Sequence, residues 1–146
     1  MDKEEEKLFL LQEVLRRYEE EAATLLQGKL EVQEILTNKE VIAVNQDPKG
    51  EQARRFMDMG EKEIWAKPLA NGELAVCFMN RTEFPWKLDY DWRKQTIYFA
   101  TDVSIRRFEY KVRDLWQHKD LGTTKSNLVA EIPPHGVLMV RLSKVK

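Results

Sequence analysis

The sequence predicts a mainly β fold: an antiparallel, Greek-key-type β-sandwich preceded by one long amphipathic helix and a short second helix. Three observations carry this expectation. Apolar residues recur with a helical period up to about residue 34 and with a period close to 2 after residue 60. Short apolar runs in the second part are separated by turns rich in Gly, Pro and Asn. A length of 146 residues, with 42% hydrophobic and 34% charged residues, suits one core of ordinary domain size.

The helix comes first. Leu8, Leu11, Leu15, Tyr18, Ala22 and Leu25 alternate spacings of three and four, which places them on one face. Val14 and Leu26 widen that stripe, and Phe9 and Leu10 extend it round the helix start. The residues between are mostly Glu, Lys, Gln, Arg and Ala, all good helix formers. Gly28 offers a C-terminal stop. The acidic opening MDKEEEK suits the positive end of a helix dipole. Residues 2–34 hold ten acids and five bases, a net of −5, so the remainder of a chain of net charge −1 carries +4. The pattern is too short for a coiled coil. The stripe is therefore expected to pack on its own sandwich, with a homo-oligomer formed through the helix as the alternative. Residues 1–33 form the first unit in this reading, a cap or oligomerisation segment, and residues 34–146 the second.

The junction, EILTNKEVIAVNQDP at 34–48, has its own logic. Thr37 and Glu40 have capping-box spacing, with Asn38 a competing N-cap. Val41, Ile42 and Val44 then supply a short buried helix, which NQDPKG ends because Pro48 lacks an N–H and restricts Asp47.

Strands follow. EIWAKPL and ELAVCFM are joined by Ala-Asn-Gly at 70–72, a strong hairpin signal, and ELAVCFM is apolar on both faces, as a central strand should be. In WKLDYDW, Trp86, Leu88, Tyr90 and Trp92 alternate with Lys87, Asp89 and Asp91. FEYKV repeats this with Phe108, Tyr110 and Val112 inward. NLVAEI and VLMVRL complete the set, separated by Pro133, Pro134 and Gly136.

Composition and motifs exclude several kinds of chemistry. The net charge of −1 gives no basic field for nucleic acid. No run is long enough for a membrane helix, and the acidic N-terminus is unlike a secretory signal, so the chain as written is expected in the cytoplasm. Cys77 is the single cysteine and reads as a small buried hydrophobe. His118 and His135 lie in separate loops without metal-ligand spacing, so neither a metal nor a cofactor is predicted. Asn80-Arg81-Thr82 fits the glycosylation pattern but reads as a strand-end turn. Of the aromatics, Trp65, Trp86, Trp92, Trp116, Tyr90 and Tyr110, most are expected in the core; Trp116 and Trp65 are the candidates for stacking on a sugar ring.

ILTNKEVIAVNQDP, EIWAKPLANGELAVCFMNR and YKVRDLWQHKDLGTTKSNLVAEIPPHGVLMVRL together resemble glycoside hydrolase family 27, the α-galactosidases, especially its bacterial members. The resemblance spans about residues 34–146 and implies that family's C-terminal β-sandwich, entered from the last helix of a (β/α)₈ barrel. Residues 1–33 resemble no part of the family. A barrel needs about 200 residues or more, and no position here matches the motifs that carry the family's two catalytic aspartates. No catalytic residue is therefore carried over. Asp89 and Asp91 share a strand face that reads as solvent-exposed, not as a pair of carboxyls held across a sugar. The resemblance implies a non-catalytic, supporting module; the abrupt switch near residue 34 and the Glu/Lys/Leu composition of the helix add the expectation that the helix covers the surface that would face a barrel and that the chain is of engineered or chimeric origin. The alternatives are a carbohydrate-binding module with weak affinity for galactosides and a helix-mediated assembly module. Relatives of this family are typically secreted, periplasmic or lysosomal.

Overall fold

The computed structural model describes residues 2–94, 97, 99, 100 and 102–145, with the side chains of residues 24–37 outside that description. Leu25 and Leu26 of the expected stripe fall in that last range. The chain forms two compact units, residues 1–38 and 39–146.

The first unit is a single helix, α1, Lys3–Thr37. Its start is a reciprocal capping box: the Glu5 N–H donates to Asp2 Oδ1 at 2.8 Å and the Asp2 N–H donates to Glu5 Oε2 at 3.1 Å. Glu4, Glu5 and Glu6 occupy the first turn, as the dipole favours. Gly28 does not stop the helix, which continues to Thr37. An interior glycine costs only about 1 kcal/mol relative to alanine, and good helix formers flank it on both sides.

The second unit opens with α2, Lys39–Asn45. Asn38 is the non-helical residue before it, so the break takes the second of the two expected capping positions. The Glu40 carboxylate accepts from Arg113 at 2.9 Å, and the Thr37 side chain of the expected capping box lies outside the described residues.

Eight strands follow: β1 (Arg54–Asp58), β2 (Lys62–Leu69), β3 (Glu73–Asn80), β4 (Trp86–Tyr90), β5 (Tyr110–Asp114), β6 (Lys119–Thr123), β7 (Leu128–Ile132) and β8 (Val137–Lys144). A six-stranded sheet runs β1-β2-β3-β8-β5-β6, and β4-β7 form a second sheet; every pairing is antiparallel. The chain leaves the large sheet after β3, returns for β5 and β6, and leaves again for β7. It comes back as β8 between β3 and β5. This is a β-sandwich, with ELAVCFM in the interior of the large sheet, as its two apolar faces require.

The β2–β3 hairpin turns where expected, with Asn71 at φ 64° and Gly72 at φ 70°, the left-handed geometry that an Asn-Gly pair tolerates best. Pro68 pairs with Leu74 of β3, beyond the stretch where β1 pairs with β2, so its missing N–H costs no ladder bond on that side. The core lies between the sheets: Leu74, Val76 and Phe78 of β3, Tyr110 and Val112 of β5 and Val140 and Leu142 of β8 face Trp86, Leu88 and Tyr90 of β4. Residues between β4 and β5 add Trp92, Ile97 and Ala100 to it.

Two strands, β1 and β6, went unread in the sequence, since RRFMD and KDLGT show no clean alternation. Phe108 corrects a third expectation. It precedes β5 and is exposed, with the Lys144 ammonium 3.9 Å from its ring centre.

Candidate functional site

The outer face of the large sheet carries the first site. Val44 of α2 packs with Leu69, Ala75 and Leu115, and Asp47 fixes the exit of α2 by accepting from the Ala70 N–H at 2.8 Å. Glu40 ties the other end of α2 to the β5–β6 hairpin, accepting from Arg113 Nε and Nη2, while Arg113 Nη1 donates to Asp120 at 2.9 Å. His118 Nδ1 lies 3.2 Å from the same Glu40. The hydrogen bonds from Arg113 hold the Glu40 carboxyl below its ordinary range. Beside α2 this leaves an open groove of about 430 Å³, whose apolar lining includes Val41, Val44, Trp65, Cys77 and Met139. Trp65, a predicted sugar-stacking candidate, is half-buried in this groove. Burial pushes the Cys77 thiol up to about 11, which disfavours the reactive thiolate.

The second site is a smaller groove of about 270 Å³ at an edge where the two sheets meet. Trp116, the other candidate, is half-buried on its wall, with Asp114, Gln117, Leu121, Glu131, Ile132 and Leu138 around it. Asp114 is buried, and its Oδ1 accepts from the Trp116 N–H at 2.9 Å and the Gln117 N–H at 3.1 Å. The carboxylate thus shapes the turn that presents Trp116. The sequence marked Trp116 but not its neighbours. Their signal was the DLWQ turn itself, an Asp two residues before a Trp, which suits an Asx-type turn.

The remaining aromatics are core. Trp86, Tyr90, Trp92 and Tyr110 are all buried, and Phe78 stands edge-on to Tyr90 at 5.3 Å and to Trp92 at 6.3 Å. Burial also raises the Tyr90 hydroxyl above its ordinary range. Asp89 is exposed and accepts from Asn127, and Asp91 accepts from the Arg93 N–H in a turn. His118 and His135 sit far apart in sequence at separate turns, each with positive φ. Asn80 is buried, its amide donating to the carbonyls of Phe84, Ile132 and Pro133 and its Oδ1 accepting from Thr82, so it is a strand-end turn and not a free acceptor for a glycan. On α1, Leu8, Leu11, Leu15 and Tyr18 are 57–67% exposed, and Ala22 is exposed too. Among the described residues no group of three or more His, Cys, Asp or Glu is placed to hold a metal, and no helix is long and apolar enough to cross a membrane.

Known proteins share this sandwich. Alpha-galactosidase A of Cellvibrio japonicus is 39% identical over 114 residues, which covers 75% of this chain and 28% of that protein. Alpha-galactosidase D of Emericella nidulans is 27% identical over 146 residues, 97% of this chain and 20% of that protein, so its match reaches into α1. The crystal structure of alpha-galactosidase I from Mortierella vinacea is similar with a TM-score of 0.65 and 34% identity, covering 75% of this chain and 28% of that one. The chain thus spans about a quarter of the length of these relatives. The profile of the alpha galactosidase C-terminal beta sandwich domain matches residues 59–142, more than half of the chain. With a β-sandwich fold and this match over residues 59–142, the chain belongs to the family of alpha galactosidase C-terminal beta sandwich domains.

Proposed function

We propose that this chain is a non-catalytic supporting module for a glycoside hydrolase catalytic domain of the α-galactosidase type. The observation that carries the reading is the open apolar groove beside α2, where Trp65, Cys77 and Met139 line a face that a sandwich working alone has no reason to keep apolar. The junction α2 lies on that same face and is pinned there by Glu40 and Arg113, which suits an element that orients two bodies. The lack of catalytic work is supported by the span of the matches, which cover about a quarter of each relative. The test is complementation. The Cellvibrio relative, stripped of its own C-terminal sandwich, is co-expressed with this chain and assayed on an aryl α-galactoside. Recovery of soluble, active enzyme is expected, and Trp65→Arg in the groove should remove it. Failure to recover anything overturns the docking role, and turnover by this chain alone overturns the non-catalytic one.

A second reading concerns α1. Its stripe of Leu8, Leu11, Leu15 and Tyr18 is exposed while Arg16, on the polar face, pairs with Glu13 and Glu20. That division supports burial of the stripe against a second copy, and light scattering of the full chain should give more than the monomer mass. A strictly monomeric mass removes this reading. Joining of α1 to the sandwich by recombination or design is supported by the change of period and charge near residue 34. The Emericella match, which reaches into α1, weighs against it.

A further inference from the structure

We propose that the groove at Trp116 is a binding site for a single hexopyranose ring. It lies between the β5–β6 hairpin and β7 and, among the described residues, shares none with the groove beside α2, so it goes beyond the docking role and stands or falls separately.

The argument begins with its lining. Leu121, Ile132 and Leu138 give the groove an apolar floor, and Trp116 adds an aromatic surface that is half-buried and held in place from below. Sugar rings have an apolar C–H face that suits such a surface. The polar groups are acceptors and an amide: the carboxylates of Asp114 and Glu131 and the side chain of Gln117. Asp114 accepts the two N–H groups of its turn at Oδ1, and its second carboxylate oxygen is the acceptor assigned to a ligand hydroxyl. Gln117 and Glu131 are exposed and line the groove from two elements, one from the turn after β5 and the other from β7. Carboxylates accept strong hydrogen bonds from hydroxyls, so this set selects a ligand rich in hydroxyl donors.

The same groups exclude other ligands. Two carboxylates disfavour phosphates and nucleic acids, and among the described residues no lysine or arginine lines the groove, Lys87 lying beside it as the cross-strand partner of Glu131. A volume of about 270 Å³ falls just short of the pockets that take drug-sized molecules, roughly 300–1,000 Å³, and is suited to one ring and not to a long oligosaccharide.

A ligand with as few atoms as one hexose binds weakly, on the order of millimolar by the usual efficiency per atom. The experiment is an amide-proton NMR titration of the full chain with D-galactose and, separately, D-glucose. Saturable shifts confined to residues 114–121 and 129–138, with a millimolar midpoint for at least one sugar, are expected. Trp116→Ala should weaken binding about tenfold, Glu131→Gln should weaken it without disturbing the rest of the spectrum, and Trp65→Phe should change nothing. Flat titrations into the tens of millimolar overturn the proposal, as do shifts centred elsewhere. Should Trp116→Ala fail to fold, Glu131→Gln decides: unaltered affinity in that folded variant also overturns it.

Discussion

Asn80 shows how one side chain closes two connections at once. Its amide donates to the carbonyls of Phe84, Ile132 and Pro133, and its Oδ1 accepts the Thr82 N–H at 3.0 Å and the Thr82 hydroxyl at 2.7 Å. Asn80→Ala would strand several of these groups, at least one of them buried, and each stranded group costs about 1–3 kcal/mol. A loss of about 3 kcal/mol in urea unfolding is therefore expected, and a loss under about 1 kcal/mol would show that water replaces the side chain. The carboxylates make a second prediction. Glu40, held down first by its hydrogen bonds from Arg113, and Glu109, held down first by Thr123, both lie below the ordinary glutamate value of 4.5. A carboxyl depressed in the folded state adds stability above its unfolded pKa, and that stability is lost as pH falls through the folded pKa, since the unfolded chain then binds more protons. The melting temperature should stay level from neutrality down to about pH 5 and fall below it. Glu40→Gln should flatten part of that fall; an unchanged acid slope would mean the Glu40–Arg113 pair contributes nothing to it. In sequence, Asn80-Arg81-Thr82 already read as a turn, but two of the partners of Asn80, Ile132 and Pro133, lie more than fifty residues away and no local pattern could name them.

Among the elements, those with strong alternation or firm turn chemistry were legible and those held by pairing alone were not. β4 could be read because Trp86, Leu88 and Tyr90 are buried while Lys87 and Asp89 between them are exposed. β1 and β6 lie at the two edges of the large sheet, where one neighbour is enough to hold a strand and the side chains face water on much of their length. KDLGT even carries Gly122 at φ 90°, a residue that argues against a strand when read alone. The end of α1 misread for the opposite reason: Gly28 is a good stop only where the chain beyond it prefers to leave the helix. The β7–β8 turn was read correctly, and its geometry makes a sharper claim. Gly136 donates to the Pro133 carbonyl at 2.9 Å, and a Cβ placed on it would lie 2.7 Å from Pro133 Cγ and 2.9 Å from the Pro133 oxygen. A proline ring and a backbone oxygen cannot yield cheaply. Gly136→Ala should cost about 1–3 kcal/mol, whereas Gly122→Ala meets no atom within 4 Å and is opposed by its backbone angle alone. Equal losses of melting temperature for the two variants would show that crowding at Pro133 is not the operative term.

At the scale of the whole molecule the question is whether the sandwich is complete without α1. The main core draws its residues from the strands and the segment between β4 and β5, and the smaller cluster under α2 draws on Val44, Leu69, Ala75 and Leu115. Among the described residues, every buried residue in both clusters follows residue 38. Its aromatic members are held in fixed mutual orientation, Tyr90 and Trp92 at 4.8 Å with planes 77° apart and Phe78 and Trp86 at 6.4 Å with planes 64° apart. Such packing should give strong near-ultraviolet dichroism that vanishes when the core melts. A chain of residues 39–146 is of a size that commonly folds alone. It is therefore expected to keep the near-ultraviolet spectrum of the full protein and to lose it in one cooperative transition. The helical far-ultraviolet signal should drop by the share due to α1 without affecting that transition. If the truncated chain keeps its strand signal but has no near-ultraviolet bands, the core needs α1 to set, and the division into two units describes geometry but not stability. If it folds but precipitates where the full chain does not, the groove beside α2 is the surface to examine first. Trp65→Arg in the truncated chain should then restore solubility, because a charge there ends the continuity of the apolar lining.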